Sequence, residues 1–546
     1  MANNMLARRL SGVVGKVADA FGRDTLSGRR RVPPGLLFAA GASAFLVLLP
    51  LAFTVYQAIA FGARDALAVL FRPLVGELLF NTLTITIATT LLSGVLGVAT
   101  AWAIERTHLP MRGLWAALTV APLAMPAFIT SYAWVSLSLD LQDFGGALLV
   151  ITSSSFPLVY LPVAAALRGM DPALEESARA LGCGRIAVFM RVVLPQLRPA
   201  MLGGMLLVAL GTLSEFGAFT LLRFRTFTTQ IYAEFRTSFD SGGASVFGCV
   251  LIVMCLVCLV LEVRVRGRAR YQRLDRGTRR EALRYPLAGR WRWPVVGAFT
   301  ALAIITLGVP IGMILFWLTQ TGAAAITPAE VSTEILISTT WSSLSYGAMA
   351  ALVTTCICIP LAFLLVRFPS RLATTFERIV FLAQGLPSLV IGLAIVSLAV
   401  HFLRPLYQSA AMLVMTYAIL FMPLALVSVR AALTQAPERL EETARSLGLS
   451  WARTVSRVLL PLAAPGLGAG ATMVFIAVVT ELNATLLLSP IGTETLATQV
   501  WADTSTLAFA AAAPYAALLL LISLGGSALL FAFLGRSALS QRGTLP

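Results

Sequence analysis

Few residues in this 546-residue chain are equipped for chemistry, and their surroundings restrict what that chemistry is. The only lysine is Lys16, and no Gly-x-x-x-x-Gly-Lys-[Ser/Thr] run accompanies it, so no phosphate cradle is expected. Cys255-x-x-Cys258 and Cys356-x-Cys358 have the spacing of metal or redox pairs. Both lie inside apolar stretches without further ligands, so they read as small buried hydrophobes. His108 and His401 stand apart, and no Ser/His/Asp or Cys/His constellation shares one compartment. The expectation is a chain with no catalytic residue, no bound metal and no cofactor of its own. Two carboxylates remain. Glu215 in LGTLSEFGAF and Glu481 in VVTELNAT each sit inside an apolar run. An ionisable group at such depth is costly and faces the protein interior or a water-filled cavity. Two readings stand side by side. The pair lines a translocation pathway, where it attracts a cation or forms part of an outer gate; or each carboxylate bonds to Ser214, Thr480 or local backbone.

The elements that must position these residues follow from composition. Hydrophobic residues make up 58% of the chain and charged residues only 12%, about half the share in a soluble protein. With a mean hydropathy of +0.85, the chain must spend most of its length in lipid. Windows of about twenty apolar residues fall at 35–60, 81–103, 115–139, 146–169, 201–222 and 246–263. A second set falls at 294–318, 341–366, 378–402, 409–430, 466–488 and 512–534. The expected fold is therefore all-α and polytopic, with about twelve transmembrane helices. Spans 146–169 and 409–430 carry prolines, Pro157 and Pro423, and are the weakest of the twelve.

Lys and Arg number 41 against 25 Asp and Glu, a net charge of +16. Taken alone, that balance suggests nucleic acid. Its placement suggests otherwise. With the N-terminus inside, 35 cations fall on the cytoplasmic side and 6 outside, and none falls mid-span. That asymmetry is a positive-inside signal, so no nucleic-acid partner is expected. Residues 1–34 form a basic tail that reads as a retained topology determinant with affinity for anionic lipid. Residues 264–293 form a basic cytoplasmic linker, and 535–546 a second cytoplasmic tail.

Between these segments the chain repeats itself. DPALEESARALGCGRIAVFMRVVLPQLRPA, residues 171–200, matches PERLEETARSLGLSWARTVSRVLLPLAAPG, residues 437–466, without a gap at an offset of 266. Pro126 pairs with Pro387 and Arg106 with Arg367 at offset 261, Pro157 with Pro423 and Glu215 with Glu481 at 266, and Thr229-Gln230 with Thr498-Gln499 at 269. The chain thus reads as two tandem six-helix units, 35–263 and 294–534, with matching loops at 170–200 and 435–466. In each loop a short helix starts near Asp171-Pro172 or Pro437. It presents Ala178 or Ala444 for close packing and ends at Gly182 or Gly448 in a left-handed turn. A second helix runs to Pro195 or Pro461.

The pattern Glu-x-Ala-x-x-x-Gly, nine residues, an aliphatic, one residue and Leu-Pro occurs twice: Glu176, Ala178, Gly182, Val192, Leu194, Pro195, and Glu442, Ala444, Gly448, Val458, Leu460, Pro461. It resembles the EAA motif of the permease subunits of type I, binding-protein-dependent ABC importers. Ser177 and Thr443 stand where that motif has a second alanine. The resemblance implies that each loop is a coupling helix docking in a cleft of a cytoplasmic ATPase subunit. Glu176, Ala178, Gly182 and Pro195, with Glu442, Ala444, Gly448 and Pro461, would carry that docking. It further implies two ATPase copies inside, which hold ATP and Mg, and a solute-binding protein outside. The multi-pass chain would sit in a bacterial inner membrane with both termini cytoplasmic. Fused two-copy permeases of this kind resemble mainly ferric iron importers, and the stretch FGAFTLLRFRTFTTQIYAEF after Glu215 is similar to that group. Thiamine and aminoethylphosphonate importers share the layout. A secondary transporter, which also favours internal repeats, leaves both loops unexplained.

Overall fold

The computed structural model describes residues 32–266, 284–286, 289–320 and 332–542. Every element among them is helical except an isolated parallel bridge between Thr107 and Tyr285. Among the described residues ten helices are long and apolar enough to cross a membrane, and two bent pairs bring the number to twelve when each pair is counted as one span. These helices keep large apolar side chains such as Phe38, Ile59, Phe80, Val95, Val257 and Trp341 on the outside. A helix that is apolar all round is a helix for lipid.

The two bent pairs correct the expected continuous spans at 115–139 and 378–402. Arg112–Ala124 and Ala127–Leu137 meet at 94°, and Arg371–Gly385 and Ser388–Phe402 at 105°. Proline causes each break. Met125 before Pro126 is extended, with φ −112° and ψ 113°, and Leu386 before Pro387 has φ −100° and ψ 135°. A residue preceding proline is driven out of the helical region because the ring collides with its backbone.

The expected spans 201–222 and 466–488 are displaced in the same sense. The continuous helices are Ile186–Ser214 and Arg457–Val479. Glu215 and Glu481 follow in interruptions, and short helices Gly217–Leu221 and Asn483–Leu488 come after them. The two prolines that weakened the other spans do not divide them. Pro157 opens the helix Pro157–Gly169 in line with Phe144–Ser155, and Pro423 lies inside Ala410–Gln435.

The helices expected to end at Pro195 and Pro461 run through them into the membrane. A proline inside an α-helix has no N–H to give and crowds the carbonyl four residues back. In both halves one wider π-turn, Phe189–Val193 and Val455–Leu459, stands just ahead of the proline. Leu194 N–H reaches back to the Phe189 carbonyl, and Leu460 N–H to that of Val455. The added residue in the turn takes up the mismatch.

The halves exchange their first helices. Pro34–Ala60 packs on Ser241–Arg266 of its own half and, across the halves, on Thr333–Arg367, Arg371–Leu382 and Ser388–Phe402 of the second. There the Ser43 hydroxyl donates to the Ile357 carbonyl at 3.0 Å. Reciprocally, Val309–Thr319 packs on Phe509–Arg542 of its own half and on Ala127–Leu137 of the first. The first helix of each half therefore wraps around the other half.

Candidate coupling loops and pathway

Each loop begins with a short amphipathic helix at one end of the bundle. In the first, the Asp171 carboxylate accepts from Ala173 N–H at 2.9 Å, which satisfies a free donor at the start of Ala173–Ala180. At the far end Gly182 N–H reaches the Arg179 carbonyl at 2.8 Å and Cys183 N–H that of Ala178 at 3.1 Å. The second loop closes Glu438–Ser446 the same way, through Gly448 to Arg445 at 3.0 Å and Leu449 to Ala444 at 3.1 Å. Gly182 has φ +85° and Gly448 φ +83°. Glycine is required by backbone shape rather than space, since a Cβ at either position would meet nothing within 4 Å.

The motif residues divide by position. Ala444 is buried and Ala178 half-buried, while Glu176 and Glu442 are exposed. The carboxylate that points inward is the one before each. Glu175 forms an ion pair with Arg106 at 2.9 Å, and neither side chain is exposed. In the second half the Arg367 guanidinium donates through Nε to Glu441 at 2.9 Å and through Nη2 to the Ala436 carbonyl at 2.8 Å. Arg106 and Arg367 are the last residues of the membrane helices Pro73–Arg106 and Thr333–Arg367. Each loop is thus clamped to the end of a spanning helix. Sequence reasoning pairs the two arginines by offset but assigns them no role, and it overlooks Glu175 and Glu441. A cation ending a long apolar run, with a carboxylate repeating in the next loop, is the signal that finds them.

Two further features escape sequence reasoning. Leu181 and Leu447 occupy equivalent places just ahead of the turn glycines and are 85% and 78% exposed. Tyr285, from the segment between the halves, lies against the first loop. Its N–H donates to the Arg106 carbonyl at 2.8 Å and its carbonyl accepts from His108 N–H at 3.1 Å. Its hydroxyl donates to Glu175 at 3.1 Å, and the Arg179 guanidinium lies 4.5 Å from its ring centroid. Burial and the neighbouring Glu175 carboxylate push the Tyr285 phenol above its ordinary pKa, so it stays a neutral donor.

Glu215 and Glu481 are brought together by the interruptions. Glu215 accepts from Ala218 N–H at 2.9 Å and Glu481 from Ala484 N–H at 3.1 Å, so each carboxylate caps the short helix that follows. Both carboxylates bond to local backbone, while Ser214 and Thr480 turn to carbonyls of their own helices. The interruptions also touch across the halves. The Asn483 amide donates to the Ser388 hydroxyl at 2.9 Å and to the Ser214 carbonyl at 3.4 Å. Phe216 lies 4.7 Å from Tyr232 and 6.4 Å from Trp501, ring centre to ring centre. Beyond each break a reciprocal threonine pair, Thr226 with Thr229 and Thr495 with Thr498, starts the next helix. The Thr82 and Ser343 hydroxyls, at offset 261, accept from Phe227 N–H at 3.2 Å and Leu496 N–H at 2.8 Å, and Ser343 also donates to the Thr339 carbonyl at 3.0 Å.

With this geometry, comparison with known proteins is specific. The family described as binding-protein-dependent transport system inner membrane component matches twice, at residues 93–271 and 355–536. The chain belongs to that family, as two fused copies of its permease domain. It is 33% identical over 475 residues to the Fe(3+)-transport system permease protein FbpB 2 of Haemophilus influenzae, covering 87% of this chain and 93% of that one. It is 22% identical over 499 residues to the ferric transport system permease protein FbpB of Actinobacillus pleuropneumoniae, covering 83% and 72%. The sulfate transport system permease protein CysT of Salmonella typhimurium is 29% identical over 255 residues, 42% of this chain and 92% of that protein. The chain is accordingly a multi-pass membrane permease of an ABC importer.

Proposed function

We propose that this permease forms the pathway for ferric iron, delivered by an extracytoplasmic binding protein and driven by two cytoplasmic ATPase subunits. The observation that carries the substrate is the likeness to an Fe(3+) permease along nearly the full length of both chains. The sulfate relative instead covers a single half. Chemistry points the same way. Glu215 and Glu481 stand at facing interruptions inside the bundle, and hard Fe³⁺ prefers oxygen ligands. The coupling loops, the N-terminus and the C-terminus lie on the cytoplasmic side, in keeping with the 35-to-6 distribution of cations.

The loops and pathway divide the labour. ATP acts by favouring one arrangement of the ATPase pair. Leu181 and Leu447, beside the turns at Gly182 and Gly448, supply apolar contact to the two ATPases. Arg106–Glu175 and Arg367–Glu441 pass the movement of each loop to a spanning helix as one rigid body. The test is uptake in membrane vesicles carrying the chain with its ATPase and binding protein. Radiolabelled ferric iron should accumulate in an ATP-dependent manner, and labelled sulfate should not. Sulfate accumulation without iron would overturn the substrate, and uptake indifferent to ATP would overturn the machine.

A further inference from the structure

A cavity of about 540 Å³ lies against the second coupling loop. Its lining includes Phe363, Arg367, Glu441 and Arg445. Carried back by the repeat offsets, these are Trp102, Arg106, Glu175 and Arg179 of the first half. Those four residues are the surroundings of Tyr285. Trp102 stacks on its ring at 5.9 Å, Arg106 and Glu175 hydrogen-bond to it, and Arg179 lies over its face. The cavity is therefore the second half's copy of a socket that the inter-half segment fills in the first.

We propose that this second socket receives the chain's own N-terminal tail, residues 20–31. Continuity supports it, because Pro33, Gly35 and Leu36 line the cavity and residue 31 therefore adjoins its mouth. The swapped architecture supports it too. Tyr285 precedes the helix Gly289–Ala303 that starts the second half's first span, and the tail precedes Pro34–Ala60, which starts the first half's. The sequences correspond. Gly28-Arg-Arg-Arg-Val-Pro33 aligns with Gly289-Arg-Trp-Arg-Trp-Pro294 at offset 261, the offset that relates Arg106 to Arg367. That register sets Asp24 at the place of Tyr285, where Arg445 replaces Arg179. The lining also has an acidic excess, three glutamates against Arg367 and Arg445. Glu438, Glu441 and Glu442 line the cavity, and Arg29, Arg30 and Arg31 follow Asp24 in the tail.

The tail would then hold the second coupling loop as the Tyr285 segment holds the first, so that each loop is strapped by the chain leading into a swapped helix. The experiment is photocrosslinking in the full chain, assembled with its ATPase in native membranes. With Phe363→p-benzoylphenylalanine, irradiation should join position 363 to a peptide within residues 17–31 of the same chain, read by mass spectrometry after proteolysis. A second probe, Ser27→p-benzoylphenylalanine, leaves the socket intact and should crosslink to the segment 437–459. Adding Asp24→Arg and Arg29→Glu should reduce the Ser27 yield at least fivefold. Crosslinks from both probes to the ATPase, to lipid, to a second copy or to nothing would overturn the proposal. An undiminished yield in the charge variant would overturn the register.

Discussion

Arg106 and Glu175 form an ion pair 2.9 Å apart with neither side chain exposed, and Tyr285 donates to the same carboxylate. Removing one partner of such a pair leaves an uncompensated buried charge, at about 3–5 kcal/mol. Glu175→Ala should therefore lower the unfolding temperature of the detergent-purified chain and reduce co-purification of the ATPase. Glu441→Ala should cost less, because Arg367 keeps the Ala436 carbonyl and Glu438 stands 3.8 Å away. Equal losses in the two variants would contradict the asymmetry.

The turn glycines carry a second prediction. Valine at φ near +85° is held in a region that costs an L-residue about 1–2 kcal/mol, and a β-branched side chain more. Gly182→Val with Gly448→Val should insert in the membrane yet lose ATP-driven uptake. Normal uptake in the stably inserted double variant would sink the coupling role of both loops.

Leu181 and Leu447 allow docking to be separated from folding. Both side chains are exposed, so replacing them disturbs little of the fold. Leu181→Asp with Leu447→Asp should leave thermal unfolding unchanged and weaken ATPase binding on the order of tenfold, measured by titrating purified ATPase onto the reconstituted chain. Unaltered binding would place the ATPase contact elsewhere.

The carboxylates at the interruptions invite a split between cap and charge. Glutamine keeps an oxygen able to accept from Ala218 or Ala484 N–H but loses the charge. Glu215→Gln with Glu481→Gln should fold normally and slow iron uptake. Glu215→Ala removes the cap as well, at about 1 kcal/mol, and should also lower thermal stability. If the double glutamine variant transports at the normal rate, the charge has no part in the pathway.

How much of this is legible in the sequence depends on what each feature costs locally. The glycine turns are visible because only glycine sits comfortably at positive φ, and the repeat marks both. The helical, multi-pass character is visible because lipid demands apolar length. The bends at Pro126 and Pro387 are hidden, since the apolar run continues across them and hydropathy is blind to chain direction. The breaks at Glu215 and Glu481 are hidden for the same reason: a capping carboxylate inside an apolar stretch looks like a charge buried in a continuous span. Glu175 is passed over in favour of Glu176 because a one-residue step along a helix turns a side chain by about 100°. Only packing shows which of the two faces Arg106.

The exchange of first helices bears on how such a permease assembles. Pro34–Ala60 packs on Ser241–Arg266 of its own half and on three helices of the second, and Val309–Thr319 on Phe509–Arg542 of its own half and on Ala127–Leu137 of the first. A six-helix half made alone would keep its first span only on its own last helix, Ser241–Arg266 or Phe509–Arg542, and leave bare the faces that the two halves share. The two halves are therefore reciprocal hosts, and the covalent join between them raises the effective concentration of one for the other without having to create the interface.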